Sequence, residues 1–94
     1  MIFVRRLIWD AWNVPHIALH DVTPGEAEEV CQGPYIIRGA YKGRVMLIGP
    51  TGTGRILAVI LEPEAAGIYY PVTARPASRR ERRLYQQGGG EKIC

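Results

Sequence analysis

The chain predicts an α+β domain: two N-terminal helices, a four-stranded antiparallel meander and a C-terminal helix. Three observations lead there. Thr23-Pro24-Gly25-Glu26 and Ser78-Arg79-Arg80-Glu81 are helix-start signals, one near each end of the chain. Between them lie four short runs of apolar, often β-branched residues. The links between those runs are short and carry glycine, as sequential hairpins require.

Each element has its own reason. Residues 1 to 10 read as an extended lead-in or short strand ending at Trp9-Asp10. Asn13 is a candidate N-cap, and Pro15 fits a first helical turn, where its missing N–H costs little. This helix is expected to reach about His20. The second helix has Thr23 as N-cap, Pro24 at its first position and Glu26 three residues after the cap. It runs to about Cys31, and Gly33-Pro34 stops it. The strands are expected at Tyr35 to Arg38, Arg44 to Ile48, Arg55 to Glu62 and Ile68 to Arg75. Pro63 to Gly67 is a turn. Pro71 points to an edge position for the last strand, because proline cannot donate to a ladder. The final helix starts at the Ser78 box, carries Leu84 and Tyr85 on a small apolar side, and is expected to end at Gly88-Gly89-Gly90. That makes residues 1 to 87 one domain and residues 88 to 94 a flexible tail.

The bulk composition narrows the class. Ninety-four residues suffice for one modest core, and the hydrophobic fraction of 47% is ordinary for a globular domain. No apolar stretch approaches the roughly 18 residues of a membrane span, and the opening MIFVRRLIW has the wrong order for a signal peptide. Two cysteines make no disulfide framework. A cytoplasmic protein is the expectation. The net charge is +3, and ten of the twelve basic residues are Arg. Acid gathers early, at Asp10, Asp21, Glu26, Glu28 and Glu29. Base gathers late, at Arg75, Arg79, Arg80, Arg82 and Arg83. The guanidinium fork suits phosphate geometry.

The loop Gly49 to Arg55, GPTGTGR, has the glycine spacing of a phosphate-binding loop. Arg55 stands in place of its lysine, and Ile56 in place of its metal-binding hydroxyl. Such loops lead into a helix; this one leads into the apolar run Ile56 to Leu61. It reads as a hairpin turn that delivers Arg55 to the end of a sheet. If Pro63 to Gly67 is the next loop, Glu62 faces Ile68 and Arg55 faces Arg75. Ile56, Ala58 and Ile60 then share one apolar face with Ile68, Tyr70, Val72 and Ala74. Facing arginines repel, so the pair asks for a phosphate or an acidic partner. The alternative is that each arginine is solvated or paired with Glu28, Glu29 or Glu81.

His16 and His20 lie four apart, on one helical face. That spacing fits a metal, but no third ligand accompanies it, so no metal is assigned. Packing and general acid–base work are the competing roles, with His20 the stronger proton-transfer candidate. Tyr85 is either a core residue or a second proton-transfer group. Trp9 and Trp12 are expected in core and rim packing.

Ile8 to Val30, IWDAWNVPHIALHDVTPGEAEEV, resembles the opening of the BrnT family of bacterial toxins. Gly43-Arg44 before a strand, Gly54-Arg55, and Val72 to Tyr85, VTARPASRRERRLY, are similar to later family segments. Asp21 departs from the Gly that usually follows the second His, Gly25 from a preferred Glu, and Tyr70-Pro71 from a continuous strand. The resemblance implies a RelE-like fold and a metal-independent, cofactor-free ribonuclease toxin that inhibits translation. It implies a cognate antitoxin, which binds the toxin and can carry the complex to operator DNA. The catalytic candidates it implies are His20, Arg55, Arg75 and Tyr85, and the RNA- or phosphate-binding candidates are His16, Arg44, Arg79 and Arg82. Cleavage of this kind uses the RNA 2′-OH, a base, positive charge on the phosphate and an acid for the leaving oxygen. A non-catalytic interaction domain of the same fold, binding an acidic protein or nucleic acid, is the alternative.

Overall fold

A computed structural model describes residues 2–91. The domain is α+β, with three α-helices and a five-stranded mixed sheet among the described residues. In chain order the elements are β1 (Arg6–Leu7), α1 (Asn13–Ala18), α2 (Pro24–Gln32), β2 (Ile36–Gly39), β3 (Val45–Pro50), β4 (Ile56–Ala65), β5 (Ile68–Pro76) and α3 (Arg79–Glu91). A 3-10 turn at Tyr41–Gly43 joins β2 to β3. The meander β2 to β5 is antiparallel throughout, as its short links require.

The expected sheet of four strands is corrected to five. The lead-in contributes β1, which pairs parallel with β5, so the order is β1-β5-β4-β3-β2. Arg5 and Arg6 both donate their N–H to the carbonyl of Gly67, and Ile8 donates to that of Tyr69.

Helix starts follow their sequence signals with one change. Thr23 and Glu26 form the reciprocal capping box of α2, and Ser78 and Glu81 form that of α3. For α1 the N-cap position is Trp12 rather than Asn13, with no side-chain cap of its own; the Asp10 carboxylate, two residues earlier, accepts from the N–H groups of Trp12 and Asn13 at 2.9 Å each. Asn13 is the first helical residue and is fully buried. Its side-chain oxygen accepts from Asp10 N, and its amide donates to the carbonyls of Ile8 and Pro71. One amide thus ties β1, α1 and β5 together.

A shorter turn overturns the expected register, and two bulges interrupt the ladder. The β4–β5 turn is only Ala66-Gly67, with Gly67 at φ +76°; β4 runs on through Pro63 to Ala65. Pro63 lies past Leu61, where the β3 ladder ends. Glu64 bulges on β4 and Val72 on β5, because the pairing jumps there. Glu62 therefore faces Tyr70, and Arg75 faces Ala58. Pro71 sits beside the bulge, opposite Leu61, where a missing donor is tolerated.

A slip by an odd number of residues exchanges the two faces of a strand, and the shift of three, from Arg55 to Ala58 opposite Arg75, makes the observed faces different from those expected. Leu57, Val59 and Leu61 join Leu47 and Ala74 against Ile17 of α1 and Ala27, Val30 and Cys31 of α2. Ala58 points the other way, with Ile36, Ile48 and Ala77, under Leu84 and Tyr85 of α3. Helices therefore cover both faces of the sheet: α1 and α2 on one, α3 on the other.

The glycine run does not stop α3, which continues to Glu91. Gly88 lies where a Cβ would stand 3.1 Å from the Ile36 side chain; the glycine lets the helix sit close on β2. Of the expected tail, residues 92 to 94 lie outside the described residues. No helix among those described is long and apolar enough to cross a membrane.

Candidate functional site

The β3–β4 loop is a hairpin turn. Thr51 N donates to Arg55 O at 2.8 Å, and Gly54 N to Thr51 O at 2.9 Å. Arg55 N donates back to the Thr51 hydroxyl. Gly54 has φ +88°, a conformation cheap only for glycine. Gly52 N donates to a Glu29 carboxylate oxygen, which moors the loop to α2.

This turn aims the Arg55 guanidinium at the α1–α2 junction. Nη1 donates to Glu26 Oε2 at 2.9 Å, and Nη2 to the carbonyl of Asp21 at 2.8 Å. Asp21 presents that carbonyl from a left-handed conformation, φ +61°, which Asp tolerates better than most residues. Glu26 is held below the usual carboxylate range, first by the Thr23 N–H and then by Arg55. His20 is the next residue before Asp21 and is exposed. Its ring meets that of His16 edge-on at 5.8 Å, and His16 stacks on Trp12 at 4.6 Å. Trp12 is 56% exposed, so it belongs to the rim and not the core. Trp12, His16 and His20 therefore form one run of rings along α1, and Arg55 is bonded to the residue that follows His20.

Arg75 lies elsewhere. It points to the α3 side and forms a two-pronged pair with Glu81, at 2.7 and 2.8 Å. The guanidinium holds the Glu81 carboxyl down to about 2, helped by the Ser78 N–H. One turn along α3, the Tyr85 hydroxyl donates to the carbonyl of Pro34 at 2.7 Å, and its ring packs against the α3-side core. Arg44 pairs with Glu62 at 2.8 Å and lies over the Tyr41 ring.

The expected facing pair Arg55–Arg75 is therefore corrected. The two are not partners across the ladder, and no anion is needed between them. Each already has a carboxylate, Glu26 and Glu81 respectively. The four catalytic candidates divide into His20 with Arg55 on one face, and Arg75 with Tyr85 on the other. Arg79 and Arg82 are exposed on α3, turned away from the sheet.

Both carboxylate partners occupy the third helical position of a capping box. Glu81 was legible as an arginine partner from its nearness in sequence. Glu26 was not: its role as a cap concealed a second role 29 residues away. Glu28 and Glu29 hold other groups, the Trp9 indole N–H and Gly52 N.

Other features carry less chemistry. Burial pushes the Cys31 thiol up to about 12, so it is no nucleophile at neutral pH. A cavity of about 690 Å³ opens between the N-terminal segment and β2, lined by Ile2, Phe3, Tyr35, Ile37 and others, and includes none of the catalytic candidates. Among the described residues no three His, Cys, Asp or Glu side chains converge. In comparisons with known proteins, the chain matches no family model and no curated protein.

Proposed function

We propose that the protein is a metal-independent endoribonuclease toxin of a type II toxin–antitoxin system, of the BrnT kind and with a RelE-like fold. One observation carries the reading: the Arg55 guanidinium is fixed on the Asp21 carbonyl, next to the exposed His20. A partly exposed guanidinium, paired with Glu26, is thereby held one residue along the chain from an exposed proton-transfer group. Neutral His20 would take the proton of an RNA 2′-OH as that oxygen bonds to phosphorus. Arg55 would stabilise the charge growing on the phosphoryl oxygens. The P–O5′ bond breaks, leaving a 2′,3′-cyclic phosphate and a 5′-OH that must be protonated. His16, in ring contact with His20, is the nearer source of that proton; Tyr85 is on the opposite face. A cognate antitoxin would neutralise the toxin and carry the complex to operator DNA.

A second reading has its own support. Arg44, Arg55 and Arg75 are each neutralised within the chain. A substrate must compete with those carboxylates, whereas a non-catalytic interaction domain need not. Induced expression in a bacterial host separates the two. The toxin reading expects rapid growth arrest with RNA cleavage by the wild type, relieved by His20→Ala and by Arg55→Ala. No arrest by a soluble, folded wild type would favour the interaction domain.

A further inference from the structure

Helix α3 divides its residues sharply. Glu81, Leu84, Tyr85 and Gly88, spaced at one helical face, turn toward the sheet, while Arg79, Arg80, Arg82 and Arg83 are all exposed. Glu81 is the one acid of the first turn, and it is spent inward on Arg75. Among the described residues no carboxylate lies within ion-pair distance of the four outward arginines. They also repel one another: 79 with 82 and 83, and 80 with 83, are neighbours on the helix surface. Their place in the first turns is the unfavourable end of the helix dipole for a cation. Local stability therefore gains nothing from this array, and a bound polyanion would relieve its repulsion.

We infer that the outward face of α3 is a docking surface for the phosphate backbone of a nucleic-acid strand. Four forked donors and no lysine fit phosphate oxygens in pairs. Gln86 and Gln87 extend the same exposed side with neutral hydrogen-bonding groups, suited to sugar and phosphate oxygens. The contacts involve no base edges, so binding is indifferent to sequence. The surface rests on the toxin reading only for the strand's being RNA. It lies across the sheet from His20 and Arg55, so docking is separable from cleavage.

The test is fluorescence anisotropy of a labelled 16-nucleotide 2′-O-methyl RNA of mixed sequence, which lacks the 2′-OH nucleophile. Binding is measured across salt concentrations for the wild type and for Arg79→Gln/Arg83→Gln. Glutamine keeps the helix-forming tendency, and circular dichroism checks the fold. Four single-strand phosphate contacts give a log–log salt slope of about −3. Losing two should flatten it by about 1.4 and weaken binding about 25-fold at 0.1 M salt, if the two lines meet at 1 M. An unchanged slope and affinity in the variant would overturn the inference, as would no binding by the wild type at low salt. Equal competition by polyglutamate of matched charge would also overturn it, because the face would then read carboxylate and not phosphate. Full binding by a His20→Ala protein that no longer arrests growth would support it. Binding with the expected slope by a wild type that never cleaves RNA would leave docking standing and remove only the toxin reading.

Discussion

Replacing Glu81 by Gln should cost stability at neutral pH and progressively less in acid. The Glu81 carboxyl accepts both Arg75 prongs and the Ser78 N–H. Folded, it titrates near 2 against an ordinary 4.5. At 1.36 kcal/mol per pKa unit, this difference is worth up to about 3 kcal/mol. The Arg75 side chain is 35% exposed, and solvent screening there reduces the figure to about 2 kcal/mol. The folded pKa is depressed, so the contribution is complete above about pH 5 and disappears as pH falls toward 2. Glutamine serves equally well at the third position of a capping box, so the variant removes the charge and keeps the cap. Urea unfolding of wild type and Glu81→Gln between pH 7 and pH 2.5 reads the gap directly. It should be about 2 kcal/mol at pH 7, or roughly 8–16 °C in Tm, and about a quarter of that, roughly 0.5 kcal/mol, at pH 2.5. Asp10 and Glu26 are also held low, but their acid losses are common to both proteins and cancel. A gap that stays the same at every pH would refute the reasoning, since it would then come from shape rather than charge.

Two further substitutions test the frame. Asn13→Ala leaves Asp10 N and the carbonyls of Ile8 and Pro71 without their partner; about 2–4 kcal/mol should be lost in urea unfolding, and a loss under 1 kcal/mol would mean water replaces the amide. Gly67→Ala places a side chain at φ +76°, with its Cβ 2.7 Å from the Arg5 side chain. The near end of the Arg5 side chain is also in the way, Cγ at 2.8 Å and Cβ at 3.3 Å, and Arg5 N donates to Gly67 O; the clash therefore adds to a backbone strain of about 1–2 kcal/mol, and an unchanged midpoint would show that the turn re-forms elsewhere.

Local grammar was legible in the chain, and long-range pairing was not. The capping boxes at Thr23 and Ser78 and the hairpin nature of the Gly49 to Arg55 loop each depend on residues a few positions apart. The strand β1 escaped because it is two residues long and its partner lies at the other end of the sequence. Register escaped because the turn is the two residues Ala66-Gly67 and not the five from Pro63 to Gly67, which moves the pairing at Arg75 by three; the bulges at Glu64 and Val72, one on each strand, cancel beyond Val72. The candidate site suffered most from this. Arg55 lies at a strand boundary and Arg75 near a strand end. Their supposed meeting depended on a five-residue turn where the chain makes one of two. Gly88 was read as a stop by its helix propensity, and packing against Ile36 overrode that.

The parallel edge has a consequence in time. Arg6 is paired with Ile68 and Leu7 with Tyr69. A ribosome adding about 5–20 residues per second makes β5 roughly 3–12 seconds after β1. Throughout that interval Val4 and Leu7, buried in the finished domain, have no strand to join. Closing this edge is therefore among the last events of folding in the cell. The apolar segment around Val4 and Leu7 is open for seconds to whatever chaperone or newly made companion protein reaches it first.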